Sequence, residues 1–328
     1  MIILTGGAGF IGSVVLWRLN QAGIDDVLVV DRLGTHDKWK NLVGKRFRML
    51  VTPESFLANV QNRNVGSADV IIHLGACTNT TERDADYLAE NNFRYSARLA
   101  EFALEREIPF IYASSASVYG DGRSGYRVGT TASLRPLNAY AMSKYLFDCW
   151  IEQRALLERV TGLRFFNVFG PNEYHKGAMA SMAYKAFLQI QQSGKVKLFA
   201  STSPDYADGE QKRDFVYVKD VAEIIWRLVE AEQSAHPIRG IYNVGSGCAR
   251  SWNELVGTVF SVLQQQPMIE YIPMPEELRP QYQNFTQADM QPLAEAFGRH
   301  GWSLPLSSLQ DAIGDYVGNY LLQSWQYL

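Results

Sequence analysis

The chain has 328 residues, 47% of them hydrophobic, and 31 Lys and Arg against 34 Asp and Glu leave a formal charge of −3. That length and apolar content exclude a disulfide-stapled miniature and a disordered tail, and they fit about two domains or one α/β unit with an appended lobe. The near-balanced charge argues against a nucleic-acid partner. The three scattered cysteines, Cys77, Cys149 and Cys248, form no CxxC pair and no disulfide framework. No apolar run is long enough to span a bilayer, and no secretory pattern opens the chain. A cytoplasmic enzyme without a metal site is expected.

Met1–Thr5 is a short apolar run stopped by glycines, which reads as a buried parallel strand. Apolar residues then recur at helical spacing from Phe10 to Leu19, and a second strand, Val27–Asp31, ends in an acid. Two further strands, Val70–Leu74 and Pro109–Ala113, flank a long helical stretch from about Asp84 to Glu107. Strands alternating with helices predict βαβ units and a parallel sheet. Leu163–Val168 reads as one more sheet strand, and Ser201–Gly209 as a polar loop. The expected architecture is α/β: a Rossmann-type doubly wound parallel sheet over 1–170, to which later segments return. A smaller C-terminal lobe, mainly substrate-binding, follows over 171–328.

Gly6-x-x-Gly9-x-x-Gly12 follows the first strand and opens the first helix. Gly6 suits a tight turn, Gly9 a close approach of pyrophosphate, and Gly12 close packing of helix on sheet. Phe10 and Ile11 stand at the helix N-terminus, where unpaired N–H groups and the dipole favour phosphate. The plain alternative is an ordinary tight βα turn. Asp31, at the end of the second strand, suits the adenosine ribose hydroxyls of NAD. Arg32, Lys38 and Lys40 beyond it suit a ribose 2′-phosphate, hence NADP, unless they are only a solvated basic loop. The balance tips slightly to tightly bound NADP.

Tyr140 and Lys144, at i and i+4, share a helix face. A nearby Lys⁺ and a positively charged nicotinamide would lower the phenol's affinity for its proton and make Tyr140 a base for a reacting hydroxyl. Lys144 would also hold the nicotinamide ribose. The alternative is a Tyr–Lys pair on an exposed helix. The hydroxyls of Ser114-Ser115-Ala116-Ser117 end the Pro109 strand, where open α/β sheets bind ligands.

These motifs, in this order, resemble the extended short-chain dehydrogenases/reductases, which include nucleotide-sugar epimerases and dehydratases. Arg213-Asp214-Phe215-Val216-Tyr217-Val218 and Asn243-Val244-Gly245 fit later segments of that superfamily. The resemblance implies that Ser115 is catalytic. It makes dehydration unlike this chain's chemistry, because 4,6-dehydratases carry Thr-Asp-Glu where Ser115-Ala116-Ser117 stands. His73 to Glu82, Asn91-Asn92, Phe165 to Ser181 and Tyr282 to Asp289 resemble the 6-epimerase family that acts on ADP-linked heptose. The stretch His175-Lys176-Gly177-Ala178-Met179-Ala180-Ser181 is the most discriminating. For that family the resemblance implies inversion at C6 of ADP-D-glycero-β-D-manno-heptose, through transient oxidation and re-reduction, for lipopolysaccharide inner-core biosynthesis. It also implies a homo-oligomer, such as a pentamer.

The same resemblance makes Lys176 a second base. Hydride must return to the opposite face of a carbonyl, so the oxygen occupies two positions that one acid/base group does not readily serve. The alternative is a Lys176 that only binds diphosphate or cofactor. Cofactor contacts are implied for Leu74, Gly75, Ala76, Cys77, Asn91, Lys144, Val168 and Lys176. Substrate contacts are implied for Ser115, Asn167, Ala178, Lys185, Phe199, Ala200, Ser201 and Tyr282. Arg213 is a natural bidentate partner for diphosphate, unless it pairs with Asp214 or Glu210 on the surface. Three positions depart from the family pattern: Leu74 replaces an acid, Pro53 a basic residue, and Lys185 a histidine. The rival readings are another nucleotide-sugar epimerase, such as a UDP-hexose 4-epimerase, and a non-catalytic NADP-binding sensor. Intact Ser115, Tyr140 and Lys144 argue against the sensor.

Overall fold

The computed structural model describes residues 1–328. Its strands, in chain order, are β1 Ile2–Thr5, β2 Val27–Val30, β3 Met49–Val51, β4 Val70–His73, β5 Phe110–Ser115 and β6 Val160–Phe165. They continue with β7 Asn167–Phe169, β8 Val196–Phe199, β9 Lys212–Tyr217, β10 Gly240–Val244, β11 Ala249–Ser251 and β12 Ile269–Ile272. Seven strands form one parallel sheet in the order β10-β6-β5-β4-β1-β2-β3. This is the doubly wound sheet expected from the alternation of apolar runs and helices.

Both faces of the sheet are covered, so its strands are apolar on both sides. Ile2, Leu4, Val29 and Ile72 pack on one face with Val14 and Leu16 of the helix Phe10–Gln21 and Ile224 and Ile225 of the helix Val218–Ala231. Ile3, Ile71, Phe110 and Tyr112 pack on the other with Leu99, Phe102, Phe147 and Ile151. Neighbouring residues of a strand point to opposite faces, which is why neither set alternates with polar residues. Each such side chain contributes about 1.5–3 kcal/mol of burial.

Three elements depart from the expectation. The long helical stretch runs as Ala85–Leu88 and Tyr95–Glu105, joined by a π turn, Ala89–Arg94. The run Leu163–Val168 is not one strand: β6 ends at Phe165, and β7 leaves to join a second sheet of order β11-β9-β7. Phe165 and Phe166 are both buried, so hydrophobicity continues through the switch and does not mark it. The short edge strand β3 and the helix Pro53–Gln61 carry no clear periodicity, and Met49 is exposed.

Beyond β6 the chain builds the smaller lobe from β7, β8, β9, β11 and β12 and the helices Met182–Ser193 and Trp252–Val262. β10 returns to the large sheet beside β6. Residues 201–209 form turns without a strand. No helix is long and apolar enough to cross a membrane.

Candidate active site

A cleft of about 1070 Å³ lies at the carboxyl ends of the strands, walled by both lobes. Gly6 adopts φ +70°, and a Cβ on Gly12 would stand 2.1 Å from the Gly6 carbonyl oxygen. The turn and the close approach therefore both require glycine. No side chain caps the helix at Gly9, which leaves its first-turn N–H groups facing the cleft beside Phe10 and Ile11. This cradle fits a dinucleotide pyrophosphate. Asp31 Oδ2 accepts from the Ala8 N–H at 2.9 Å, and Oδ1 accepts from Arg32 N–H at 2.7 Å and Lys38 Nζ at 2.6 Å. Lys38 lines the cleft and Arg32 does not: Arg32 is exposed and pairs with Glu54. Pro53 opens the helix after β3, outside the cleft.

The helix Ala139–Gln153 carries Tyr140 and Lys144, and Asn138 Oδ1 caps it by accepting from the Ala141 N–H at 2.8 Å. Both side chains are buried, 8% and 5% exposed, which excludes the exposed-pair alternative. Lys144 Nζ donates to the Ala113 carbonyl at 3.0 Å, and burial lowers its pKa to about 8 against the pull of Asp148. The lowering expected for Tyr140 depends on Lys144 together with a positively charged nicotinamide; the protein's own groups act in the other direction. Burial pushes the phenol up, and the Ser115 hydroxyl opposes the shift. Ser115 ends β5, and its Oγ accepts from Ser117 N–H at 3.2 Å and Ser117 Oγ at 2.9 Å.

Lys176 sits on the turn Tyr174–Met179, half-buried, with Nζ 5.6 Å from the centre of the Phe10 ring. Burial lowers its ammonium pKa, and the nearby Glu173 carboxylate opposes this. Phe10 follows β1 and Ser115 ends β5, with β4 between those strands. Tyr140, beside Ser115, therefore lines the cleft at the β5 end, and Lys176 lines it at the β1 end.

Of the remaining expected residues, Leu74, Gly75, Ala76, Asn167, Val168, Ala178, Lys185, Phe199 and Tyr282 line the cleft. Cys77 and Asn91 lie behind it, and Asn92 ties them together: its Oδ1 accepts from Cys77 N–H at 2.8 Å and from Asn91 Nδ2 at 3.0 Å. Ala200 and Ser201 also stand outside the lining; Ser201 N–H donates to Asp208 Oδ1 at 2.7 Å.

Arg213 is 6% exposed and lies behind the wall, 4.9 Å from the Tyr282 ring centre and 5.5 Å from that of Trp252. It does not pair with Asp214, which is occupied by Ser246, Gly247 and Ala288, nor with Glu210, which accepts from Asn253. A buried cation between aromatic faces, lacking a carboxylate, suits an anionic ligand. Replacing Arg213 by Ala is expected to raise KM for a diphosphate substrate about tenfold or more with a smaller fall in kcat, the signature of uniform binding. Initial-rate kinetics check this, and unchanged constants would remove Arg213 from the site.

Asn138 and Gln281, which the sequence reading passed over, and His175 and Gln283, which entered it only within family-like stretches and without a role, also line the cleft. Asn138 left a signal as a helix-capping residue just before Tyr140. His175 adjoins Lys176 but carries no role in the spacing; burial, aided by Lys38 and Lys176, lowers its pKa to about 4.

A glycine-cradled dinucleotide cleft with a buried tyrosine and lysine on one helix defines a class of dinucleotide-dependent enzymes. The sequence profile of the NAD dependent epimerase/dehydratase family matches residues 2–245, and the chain belongs to that family. Within it, the chain is 48% identical over the full length of both proteins to the ADP-L-glycero-D-manno-heptose-6-epimerase of Nitratidesulfovibrio vulgaris strain DP4. It is 42% identical, again over the full length of both, to the protein of that name from Fusobacterium nucleatum. The crystal structure of Helicobacter pylori ADP-L-glycero-D-manno-heptose-6-epimerase matches with a TM-score of 0.80 and 30% identity, over 97% of this chain and 95% of that one.

Proposed function

We propose that the chain inverts C6 of the heptose in ADP-D-glycero-β-D-manno-heptose, giving ADP-L-glycero-β-D-manno-heptose. The observation that carries this reading is that Tyr140 and Lys176 line one cleft, Tyr140 beside Ser115 at the end of β5 and Lys176 over Phe10 after β1. Burial keeps the Tyr140 phenol protonated, so it is ready to donate. Burial also weakens the hold of Lys176 on its proton, so it is readier to accept. The names of the relatives at 48% and 42% identity support the same substrate.

A bound nicotinamide dinucleotide supplies the carbon-hydride acceptor and donor. Gly6, Gly9 and Gly12 would hold its pyrophosphate, Asp31 and Lys38 its adenosine end, and Lys144 its nicotinamide ribose. The isomer whose C6 hydroxyl faces Lys176 gives its proton there as C6 becomes an aldehyde. Rotation about C5–C6 turns the oxygen toward Tyr140 and Ser115, and Tyr140 protonates it as C6 is reduced on the other face. Exchange with solvent then takes the proton from Lys176 and returns one to Tyr140, and the reverse reaction follows the same path with Tyr140 as base. Nuclear magnetic resonance of ADP-D-glycero-heptose incubated with the protein, without added cofactor, is expected to show the L isomer. Conversion of UDP-glucose in its place would favour a 4-epimerase.

We assign the cofactor as NADP on the ammonium of Lys38, which reaches the end of β2 inside the cleft. Denaturing the purified protein is expected to release NADP. Arg32→Ala is expected to leave its retention unchanged, because Arg32 turns to Glu54, whereas Lys38→Met lowers it. Release of NAD alone would overturn the assignment.

A further inference from the structure

We infer that Asn41 is a positioning residue that ties the Lys176 turn to the dinucleotide loop, so that the contacts shaping the cofactor cleft also place the second base. The inference rests on the two-base reading above and concerns a residue outside the cleft wall.

Asn41 is wholly buried, at the end of the short helix Asp37–Leu42 that also carries Lys38. Its Nδ2 donates to the Ala8 carbonyl at 3.0 Å and to the Asn172 carbonyl at 3.1 Å. Two carbonyl acceptors consume both amide protons and fix the orientation, since the reverse one would press an oxygen against two oxygens. His175 Nδ1 lies 3.3 Å away on the same side. Ala8 is the centre of the glycine loop, and Asp31 accepts from its N–H. Its peptide groups are thus gripped from both sides, by Asp31 and by Asn41, while Asn41 also reaches across to the second lobe.

The far partner is equally constrained. Asn172 is wholly buried and adopts φ +74°, a left-handed conformation that asparagine takes more readily than other non-glycine residues. Its Nδ2 donates to Ser13 Oγ at 2.9 Å, and Ser13 Oγ donates to the Phe10 carbonyl at 3.1 Å. Lys176 N–H donates to the Glu173 carbonyl at 2.9 Å, which continues the path to the base. The Glu173 carboxylate closes the turn by accepting from Gly170 N–H, Ser181 Oγ and Tyr316 OH. Glu173 therefore fixes the shape of the turn, and Asn41 and Asn172 fix where it stands over Phe10. A base displaced by an ångström loses much of its effect even when it is present and correctly ionised.

The test uses the holoenzyme and compares Asn41→Ala with Asn41→Ser, which retains one donor. Three quantities are read: nucleotide released per chain on denaturation, steady-state constants for epimerisation, and the rate of reductive methylation of Lys176 relative to Lys195, read by peptide mass spectrometry. Asn41→Ala is expected to lower kcat by about tenfold to a hundredfold with KM within about threefold and nucleotide content unchanged. Methylation of Lys176 is expected to change severalfold against Lys195, which is half-exposed and remote from the turn. Asn41→Ser should fall between Asn41→Ala and wild type, and it carries the test if Asn41→Ala does not fold. Wild-type kcat, unchanged Lys176 labelling, or a loss of kcat matched by loss of nucleotide would each overturn the inference. Lys176→Met separates the two readings. If it cripples turnover while the Asn41 variants are normal, only the positioning role fails; if it turns over at the wild-type rate, the two-base reading fails first.

Discussion

Tyr140→Phe and Lys176→Met are each expected to lower kcat for epimerisation by about 10²–10⁴-fold, the usual worth of one acid/base group. On the proposed two-base reading, both groups are required in each turnover because the C6 oxygen loses its proton in one position and regains it in another. C6 is exocyclic, so the aldehyde presents its second face by rotating about one bond. Two fixed groups flanking a rotating carbonyl are sufficient, whereas a ring ketone would require the whole sugar to turn. An aldehyde analogue of the intermediate separates the roles. It can dismute, one carbonyl being oxidised as its hydrate while another is reduced, and this needs only one competent pose. Each single variant should retain part of the dismutation, and the double variant should lose it. Thermal melting of each variant guards against a folding defect. Lys176→Met turning over at the wild-type rate with unchanged KM would leave Lys176 as a ligand only.

The opposite acidity shifts give this prediction a pH dependence. Burial lowers the Lys176 pKa, so the neutral amine becomes available at a lower pH than for an exposed lysine. In the direction that uses Lys176 as base, activity should rise with pH through that lowered value. The rising limb should be absent from the residual activity of Lys176→Met.

The parts of the fold that were legible in the sequence are those where one physical cause dominates. β1, β2, β4 and β5 are buried on both faces, so they stand out as apolar runs, and Gly6, Gly9 and Gly12 are dictated by a turn and a close contact. β3 and the helix Pro53–Gln61 were not legible, because an exposed edge strand has little hydrophobic pattern. The one available signal was Thr52 before Pro53, and Thr52 Oγ1 does cap that helix by accepting from Ser55 N–H at 3.3 Å. The break between β6 and β7 was hidden for the opposite reason: Phe165 and Phe166 are both apolar and both buried, although the strands belong to different sheets. Among the candidate site residues, Tyr140 and Lys144 were marked by type and spacing, and Lys176 by resemblance to the 6-epimerase family. Asn41 and Glu173 were not, since a buried polar side chain that serves a distant backbone has no local periodicity.

Asp148→Ala is expected to cost about 3–5 kcal/mol of stability. Arg164 is wholly buried on β6, and its only ion-pair partner is Asp148, with Nε 3.0 Å from Oδ2. Tyr119 OH and Thr131 Oγ1 complete the guanidinium's hydrogen bonds, at 3.2 and 2.8 Å, but neither carries charge. Asp148 also accepts from Tyr112 OH at 3.1 Å and Ser114 Oγ at 2.8 Å. Its removal leaves one buried charge and two β5 hydroxyls without their acceptor. The double replacement Asp148→Leu with Arg164→Met removes both charges together and should destabilise less than Asp148→Ala alone, because neither ion is then left uncompensated. Urea or thermal midpoints check the order: wild type highest, the double variant next, Asp148→Ala lowest. A single variant within about 0.5 kcal/mol of wild type would show that the pair contributes no more than a surface contact. The change also reaches the chemistry. Ser114 precedes Ser115, and Asp148 lies one helical turn beyond Lys144 and holds the Lys144 pKa up against burial. Without that carboxylate the ammonium should lose its proton below the present value of about 8. The alkaline limb of kcat/KM should accordingly move to lower pH in whatever fraction of Asp148→Ala remains folded.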